Sequence, residues 1–176
     1  MKLLQEGYKS LNVGCGEDVR CSDRIDIVKT KTTTKVYDIE KGLPYEDNTF
    51  DEILCQYVYE HMKNPHALLV EMKRVLKEKG KIGVITDNAG YLLNHVKFRT
   101  YHGDYLENGR TDDKHYFLYT PEHLRNHFQT AGLSIEGYGY KFWDDVHGKS
   151  KIFHRAMAKI ISERFFMPSV VIVGGK

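Results

Sequence analysis

The sequence predicts a single α/β domain built on a mostly parallel β-sheet. Three observations support this prediction: short apolar runs alternate with helical patterns, the first run ends in a glycine turn, and a helical pattern joins two later runs. The chain has 176 residues, of which 41% are apolar and 28% are charged. A domain of about 150 residues is typical, so we expect one domain, residues 1–176, with a substantial core.

Five short apolar runs predict the first five strands. They cover residues 10–14, 24–28, 35–39, 50–56 and 81–86. The clearest helix precedes the fifth strand, with Asn64 as a suitable N-cap, Pro65 in the first turn and Gly80 at the expected end. Its apolar residues recur at helical spacing: Leu68, Leu69, Met72, Val75 and Leu76. This strand–helix–strand order predicts a right-handed crossover between parallel strands.

The last third of the chain is less regular. Residues 88–120 show no sustained period, so we expect them to form a cover over the sheet edge. Thr120 and Pro121 predict the start of a helix, and Gly132 predicts its end. Beyond this helix we expect a strand at 134–142, an amphipathic helix at 151–165 and a final central strand at 170–173.

Charge and composition exclude several classes of protein. The formal net charge of +2 gives no strong field toward nucleic acid or an anionic membrane. No apolar run is long enough to span a bilayer, and the first residues show no signal-peptide pattern. Three cysteines are too few for a disulfide scaffold. We therefore expect a cytoplasmic protein that does not bind membranes.

The sharpest local motif is Leu-Asn-Val-Gly-Cys-Gly at residues 11–16. Gly14 and Gly16 directly follow a strand, where they let the backbone turn tightly and approach a ligand. A plain strand-to-loop turn has the same pattern. Val19 replaces the third glycine of the dinucleotide fingerprint, which argues against a nicotinamide-dependent oxidoreductase, and no phosphate-binding Lys-Ser or Lys-Thr follows.

Two carboxylates follow the next two predicted strands. Asp26 lies at the end of the second strand, where a carboxylate can accept hydrogen bonds from both ribose hydroxyls. Asp38 lies at the end of the third strand, on the same edge of the sheet. Either residue could instead be a solvent-facing loop acid.

Four further motifs follow in order. They are Leu-Pro-Tyr-Glu-Asp-Asn-Thr-Phe-Asp at 43–51, Glu60-His61, Arg-Val-Leu-Lys-Glu-Lys-Gly at 74–80, and Tyr-Thr-Pro-Glu-His-Leu at 119–124. Together with the glycine turn, these motifs make the chain resemble the class I S-adenosylmethionine-dependent methyltransferases. The resemblance runs from about residue 10 to residue 86, continues more weakly through residues 119–132, and is closest to the small single-domain branch.

The resemblance implies a Rossmann-like three-layer sandwich with seven strands in the order 3-2-1-4-5-7-6 and strand seven antiparallel. It also implies S-adenosylmethionine as cofactor and S-adenosylhomocysteine as product. In it, Asp26 binds the ribose, Asp38 and Ile39 meet the adenine, and the remaining residues surround the methionine part and the sulfonium. The implied cofactor-binding residues are Asn12, Gly14, Cys15, Gly16, Asp26, Asp38, Ile39, Gln56 and Tyr57.

Two departures from the family pattern concern the cofactor. Asp18 stands where the family has its usual third glycine, which would place a carboxylate near the methionine end. Only nine residues separate Gly16 from Asp26, so we expect the usual first helix to be very short or absent.

The acceptor is expected to contact residues that follow the fourth and fifth strands. His61 is the candidate base, because imidazole titrates near neutral pH, although it and Glu60 could equally be structural. Substrate contacts are expected from Asp87, Asn88, Tyr101, His102 and Tyr116, with Tyr105, His115 and Tyr119 as further candidates. His123 and His127 are four apart on one helix face, but no third ligand is evident, so no metal site is expected.

These features predict a methyltransferase that acts on a small-molecule acceptor, and three alternatives stay open. The first is a non-catalytic module of the same fold that binds the cofactor or a partner. The second is a methyltransferase that acts on RNA or protein, although no RNA-binding motif is present. The third concerns residues 149–164, a basic segment that either packs on the sheet with its cations outward or faces RNA or a membrane surface.

Overall fold

A computed structural model of the protein describes residues 4–92, 115–141 and 149–176. Within them, one sheet contains seven strands: β1 Ser10–Val13, β2 Asp23–Asp26, β3 Lys35–Val36, β4 Phe50–Gln56, β5 Leu76–Asp87, β6 Ser134–Lys141 and β7 Ser169–Gly175. Their order is β3-β2-β1-β4-β5-β7-β6. Strands β1 to β5 are parallel, and β7 runs antiparallel to both β5 and β6. The predicted α/β class, strand order and antiparallel β7 are confirmed.

The connection between β1 and β2 contains no helix along residues 14–22, as the short spacing predicts. The chain instead turns back at once, because the backbone N–H groups of Gly14 and Cys15 both donate to the carbonyl of Ile25, at 2.8 and 3.1 Å. Val19 in this connection is exposed, as are Ile27 and Val28 directly after β2.

The helix before β5 is α1, Pro65–Val75, and it begins as predicted, with the Asn64 side chain accepting from the Ala67 N–H. The prediction that it extends to Gly80 is wrong. The carbonyls of Arg74 and Val75 accept hydrogen bonds from the N–H groups of Asn48 and Thr49, which takes the last turn out of the helix. Residue 76 then begins β5 opposite Phe50.

The third strand is also shorter than predicted. Residues 35–39 contain only the two-residue β3, and Ile39–Lys41 form a 3₁₀ turn instead. The cause is local, because the Asp38 side chain accepts the Glu40 N–H and caps this turn.

In the last third, α2 spans Pro121–Thr130 and is capped by Thr120, as predicted. The predicted helix at 151–165 is divided into α3, Lys149–Ile160, and α4, Glu163–Phe166, because Ser162 caps the second piece. Of the two interpretations of this segment, packing of its apolar side on the sheet does not hold for the residues described, since Ile152 and Ile160 are 70% and 77% exposed.

The core is unequal on the two faces of the sheet. On one face, α1 and α2 cover a large cluster that includes Ile53, Leu69 and Phe128. Because side chains alternate along a strand, Leu54 and Ile85 point to the other face, where they form a small cluster with Cys21. Among the described residues, no helix has the length and apolar content required to cross a membrane.

Candidate functional site

The candidate site lies at the edge where the parallel strands β1 to β5 end. Ligands bind open α/β sheets at this carboxyl edge, close to the point where the strand order reverses. Here the reversal lies between β1 and β4, which are neighbours in the sheet although β2 and β3 intervene in the chain. The segments after these two strands therefore form the centre of the site.

The glycine turn after β1 provides a surface for a ligand. Gly14 and Gly16 both have left-handed backbones, with φ of 68° and 51°. A side chain at Gly14 would collide with Val58, whereas no heavy atom of the described chain lies within 4 Å of the position that a Cβ of Gly16 would take. Beside this open space, the Asn12 Oδ1 is buried and has no hydrogen-bond partner among the described residues. An open glycine beside an unpartnered acceptor fits a ligand with hydrogen-bond donors.

Asp26 holds this turn in place. Its Oδ2 accepts the Gly16 N–H at 2.8 Å, and its Oδ1 accepts the Val28 N–H at 2.9 Å. The hydroxyls of Thr30 and Thr32 each donate to the Gly16 carbonyl at 2.7 Å. Each carboxylate oxygen has two lone pairs, so these contacts are compatible with the predicted ribose contact. Cys15 is buried between the glycines, and burial raises the pKa of its thiol.

Asp38 and Ile39 lie at the end of β3. The Asp38 Oδ1 accepts the Glu40 N–H at 3.1 Å, and its Oδ2 lies 3.4 Å from the Lys41 ammonium. Ile39 is half-buried against the large core cluster. The capping contact therefore holds the Asp38 carboxylate at the edge where the adenine contact is expected.

Asp18, the departure from the family pattern, belongs to a polar cluster at the end of β1 and β4. Its carboxylate accepts from Asn12 Nδ2 at 3.0 Å and from Arg20 Nε at 2.8 Å, and Arg20 Nη2 also donates to Gln56 Oε1 at 2.7 Å. Burial raises the pKa of Asp18, but the hydrogen bonds from Arg20 outweigh it and hold the pKa below its usual value. Arg20 was not among the residues predicted from the sequence, although its position two residues after Asp18 was a signal for this pair.

Tyr57, the first residue after β4, has a φ of 54°. This left-handed conformation is costly for a residue with a Cβ and is found preferentially at functional sites. Its N–H donates to the Ile85 carbonyl at 2.8 Å, and its hydroxyl lies 2.9 Å from the Ser169 hydroxyl. These contacts link the ends of β4, β5 and β7 at the site.

Shortly after Tyr57, a 3₁₀ turn at Tyr59–His61 carries the predicted Glu60 and His61. Glu60 is 1% exposed, and Thr86 Oγ1 donates to its Oε2 at 2.6 Å. The ring of His61 packs edge-on against His115 with 4.5 Å between centroids. The His115 Nδ1 lies 3.7 Å from Asp87 Oδ2, and burial raises the pKa of Asp87 to about 6.

The remaining predicted substrate contacts are distributed differently. Asn88 does not face this cluster: its Nδ2 donates to the carbonyls of Arg164 and Met167, so it is fully buried and joins α4 to the sheet. Tyr116 is 48% exposed beside the cluster. Tyr101, His102 and Tyr105 lie outside the described residues.

The histidine pair on α2 has no shared ligand position. His127 Nδ1 is bonded to the Tyr59 hydroxyl at 2.9 Å, whereas His123 is exposed. Burial and the neighbouring His66 and His123 lower the pKa of His127, which favours the neutral ring. This contact gives His127 a structural role between α2 and the turn after β4.

Sequence comparison identifies a domain in the first half of the chain. Residues 17–84 match a family described as a methyltransferase domain. Two uncharacterized proteins of Methanocaldococcus jannaschii are similar to parts of the chain. One is 42% identical over 59 residues, which are 34% of this chain and 26% of that protein. The other is 38% identical over 87 residues, 48% of this chain and 41% of that protein, so the matches span less than half of each relative.

Solved structures are similar over almost the whole chain. A SAM-dependent methyltransferase from Mesorhizobium loti has a TM-score of 0.66 at 13% identity, with 100% of this chain and 94% of that one covered. One from Thermotoga maritima also has a TM-score of 0.66, at 16% identity, with 98% and 84% covered. The [4+2]-cyclase SpnF has a TM-score of 0.58 at 18% identity, with 98% and 76% covered. A fold shared with a cyclase does not by itself determine the reaction.

Proposed function

We propose that the chain is a class I S-adenosylmethionine-dependent methyltransferase that transfers a methyl group to a small-molecule acceptor, because residues 17–84 match a methyltransferase domain and the sheet has the strand order that the resemblance implies. The domain and the fold imply S-adenosylmethionine as the cofactor. The observation that carries the proposal is the open, left-handed Gly16 beside the buried and unpartnered Asn12 Oδ1, at the reversal of strand order. The residues present therefore fit this group.

We expect one set of residues to bind the nucleoside part of the cofactor and another set to bind its methionine part. Asp26 accepts the ribose hydroxyls while it holds Gly16, and Asp38 accepts from the adenine amino group beside Ile39. Near the methionine part, Asp18 and Arg20 present opposite charges to the amino and carboxylate groups of the ligand, and Gln56 and Tyr57 line the space next to the sulfonium.

The bound cofactor would supply a methyl group already activated by its sulfonium. The protein's remaining tasks are to align the acceptor, exclude water and remove a proton where the acceptor carries one. We assign proton removal to His61, which is half-buried against His115. Both residues lie where the acceptor is expected, near the turn after β4 and the end of β5, and we call this region the acceptor side of β4. Asp87 and Tyr116 contribute to the wall on this side.

The test is a calorimetric titration of the protein with S-adenosylmethionine and S-adenosylhomocysteine, with oxidised nicotinamide dinucleotide as the control ligand. We expect the first two ligands to bind and the third to give no heat of binding. A chain that binds neither of the first two would contradict the cofactor proposal. Binding without turnover over a broad panel of small acceptors would favour the non-catalytic alternative.

Two glycine variants show whether binding depends on the turn. Gly16 and Gly7 both have left-handed backbones, and neither has a heavy atom of the described chain within 4 Å of its Cβ position. The substitutions Gly16→Ala and Gly7→Ala therefore introduce the same kind of backbone strain, about 1 kcal/mol each. We expect only Gly16→Ala to weaken S-adenosylhomocysteine binding, by tenfold or more. Equal affinity in both variants would remove the glycine turn from the site.

A further inference from the structure

We infer that Glu60, His61 and His115 form a binding site for a divalent transition-metal ion on the acceptor side of β4. Each residue offers one ligand atom, and the three atoms lie within 4.8 Å of one another. In the tetrahedral geometry typical of zinc, ligand atoms about 2.0–2.2 Å from the ion lie about 3.3–3.6 Å apart, so side-chain rotations that bring the most distant pair about 1–1.5 Å closer complete the set. The inference goes beyond the proposed methyl transfer and does not depend on it.

The fold brings these three ligands together from distant parts of the chain. Glu60 and His61 are held by the 3₁₀ turn after β4, in which the His61 N–H donates to the Val58 carbonyl at 2.9 Å. The next two residues after His115, Tyr116 and Phe117, donate their N–H groups to the Glu60 carbonyl at 2.8 and 3.3 Å. The backbone beside His115 is therefore attached directly to the turn that carries the other two ligands.

Two neighbours orient the proposed ligands. Thr86 Oγ1 donates to one oxygen of the Glu60 carboxylate, and Asp87 Oδ2 faces His115 Nδ1 at 3.7 Å. A carboxylate near one ring nitrogen of a ligating histidine is a common arrangement around protein-bound metals, where it sets the orientation and tautomer of the ring. We therefore assign His115 Nε2 as its ligand atom.

The ligand types indicate the class of ion. Two imidazoles and one carboxylate suit zinc, cobalt or iron better than magnesium or calcium, which prefer oxygen ligands alone. Three protein ligands leave a coordination position for water or for an oxygen of the acceptor. Where the proposed methyl transfer also holds, the ion would take over from His61 the task of making an acceptor hydroxyl more acidic.

The test is a titration of chelator-treated full-length protein with Co²⁺, followed by visible absorption, with Zn²⁺ as competitor. We expect one equivalent to bind, Zn²⁺ to displace it, and His61→Ala and His115→Ala each to weaken binding by tenfold or more. His123→Ala, which removes an exposed histidine outside the cluster, should bind Co²⁺ as the unmodified protein does. Thermal unfolding of each variant in chelator establishes that it is folded.

The inference is overturned if Co²⁺ does not bind with a saturable stoichiometry, or if the two cluster variants bind it as tightly as His123→Ala. An S-adenosylhomocysteine titration of the same metal-free protein separates this result from the proposed function. Cofactor binding without metal binding contradicts only the metal site. Metal binding without cofactor binding supports the site and contradicts the methyltransferase proposal.

Discussion

Asp18 and Asp87 lie on the same edge of the sheet, yet their surroundings shift their pKa values in opposite directions. Asp18, whose side chain is 22% exposed, is bonded to Arg20, and the hydrogen bonds from this arginine hold its pKa below the usual value. Asp87 has a side chain only 16% exposed, and burial raises its pKa to about 6. One side of the edge therefore carries a charged pair, whereas on the other, the drier side, burial favours the neutral form of the carboxyl group.

This difference indicates what each side can bind. A charged, exposed cluster pairs well with a ligand that carries both an amino and a carboxylate group. A drier pocket with a carboxyl group that titrates near neutral pH suits proton transfer or metal coordination, since electrostatic interactions are stronger there. Active sites commonly give two carboxyl groups different roles by shifting their pKa values in opposite directions.

The largest expected effect comes from Asp87→Asn on the drier side. The folded pKa of about 6 exceeds the unfolded value of 3.8, so the folded protein holds this proton more tightly. Stability contributed by the protonated Asp87 is present below about pH 4 and is lost as the pH rises through about 6. Between these limits the unmodified protein should lose up to about 3 kcal/mol relative to Asp87→Asn.

Urea unfolding from pH 4 to pH 7 in the presence of a chelator measures this difference, with Glu17→Gln as an exposed control on the other side. Parallel stability profiles for the unmodified protein and Asp87→Asn would show that the pocket is not dry enough to perturb this carboxyl group.

A smaller loss is expected for Thr86→Val, which keeps the shape of the side chain but removes the donor to Glu60. Loss of a hydrogen bond to a buried polar group costs about 1–3 kcal/mol. The matched control is Thr130→Val, whose hydroxyl bonds to the Asn126 carbonyl in an exposed part of α2. Its effect should stay within about 0.5 kcal/mol in urea unfolding at pH 7. Equal effects of the two substitutions would count against a buried, hydrogen-bonded Glu60.

The smallest effect is expected for Asp18→Asn on the charged side. An exposed ion pair contributes about 1 kcal/mol or less, and salt screens it. Because the folded pKa of Asp18 is lowered, its contribution is present above the usual carboxyl pKa and is lost as the pH falls through the folded value. Unfolding at pH 7 and pH 3, at low and high salt, measures it. If the difference in stability between the unmodified protein and Asp18→Asn grew on acidification, the lowered pKa of Asp18 would be contradicted.

The elements predicted correctly are those whose signals lie within a few residues of each other. The strand at 50–56 has the predicted bounds, and Thr120 caps α2 as expected, because both depend on short-range patterns. The glycine turn and the absence of a helix before Asp26 were likewise evident from spacing. In the candidate site, Asn12, Asp18 and Gln56 lie together as the order of strand ends implies.

The errors arise where a distant residue competes with a local preference. The helix pattern through Leu76 is regular, yet the loop at 48–49 takes the last carbonyls of α1 and ends it at residue 75. Asn88 follows β5 at the expected edge, but its side-chain Nδ2 donates to the carbonyls of Arg164 and Met167. Neither competitor is near in sequence, so no local pattern could have shown it.

The sequence by itself determined most of the strands, the glycine turn and the motifs on which the family resemblance rests, because periodicity, caps and motif spacing are local properties of the chain. The strand order followed from that resemblance. Only the tertiary structure decided that His115 lies against His61 and that Asp87 lies in a drier pocket than Asp18. The physical reason is that burial and side-chain contact depend on which strands and segments become neighbours. The contact between His61 and His115 joins segments 54 positions apart in the chain.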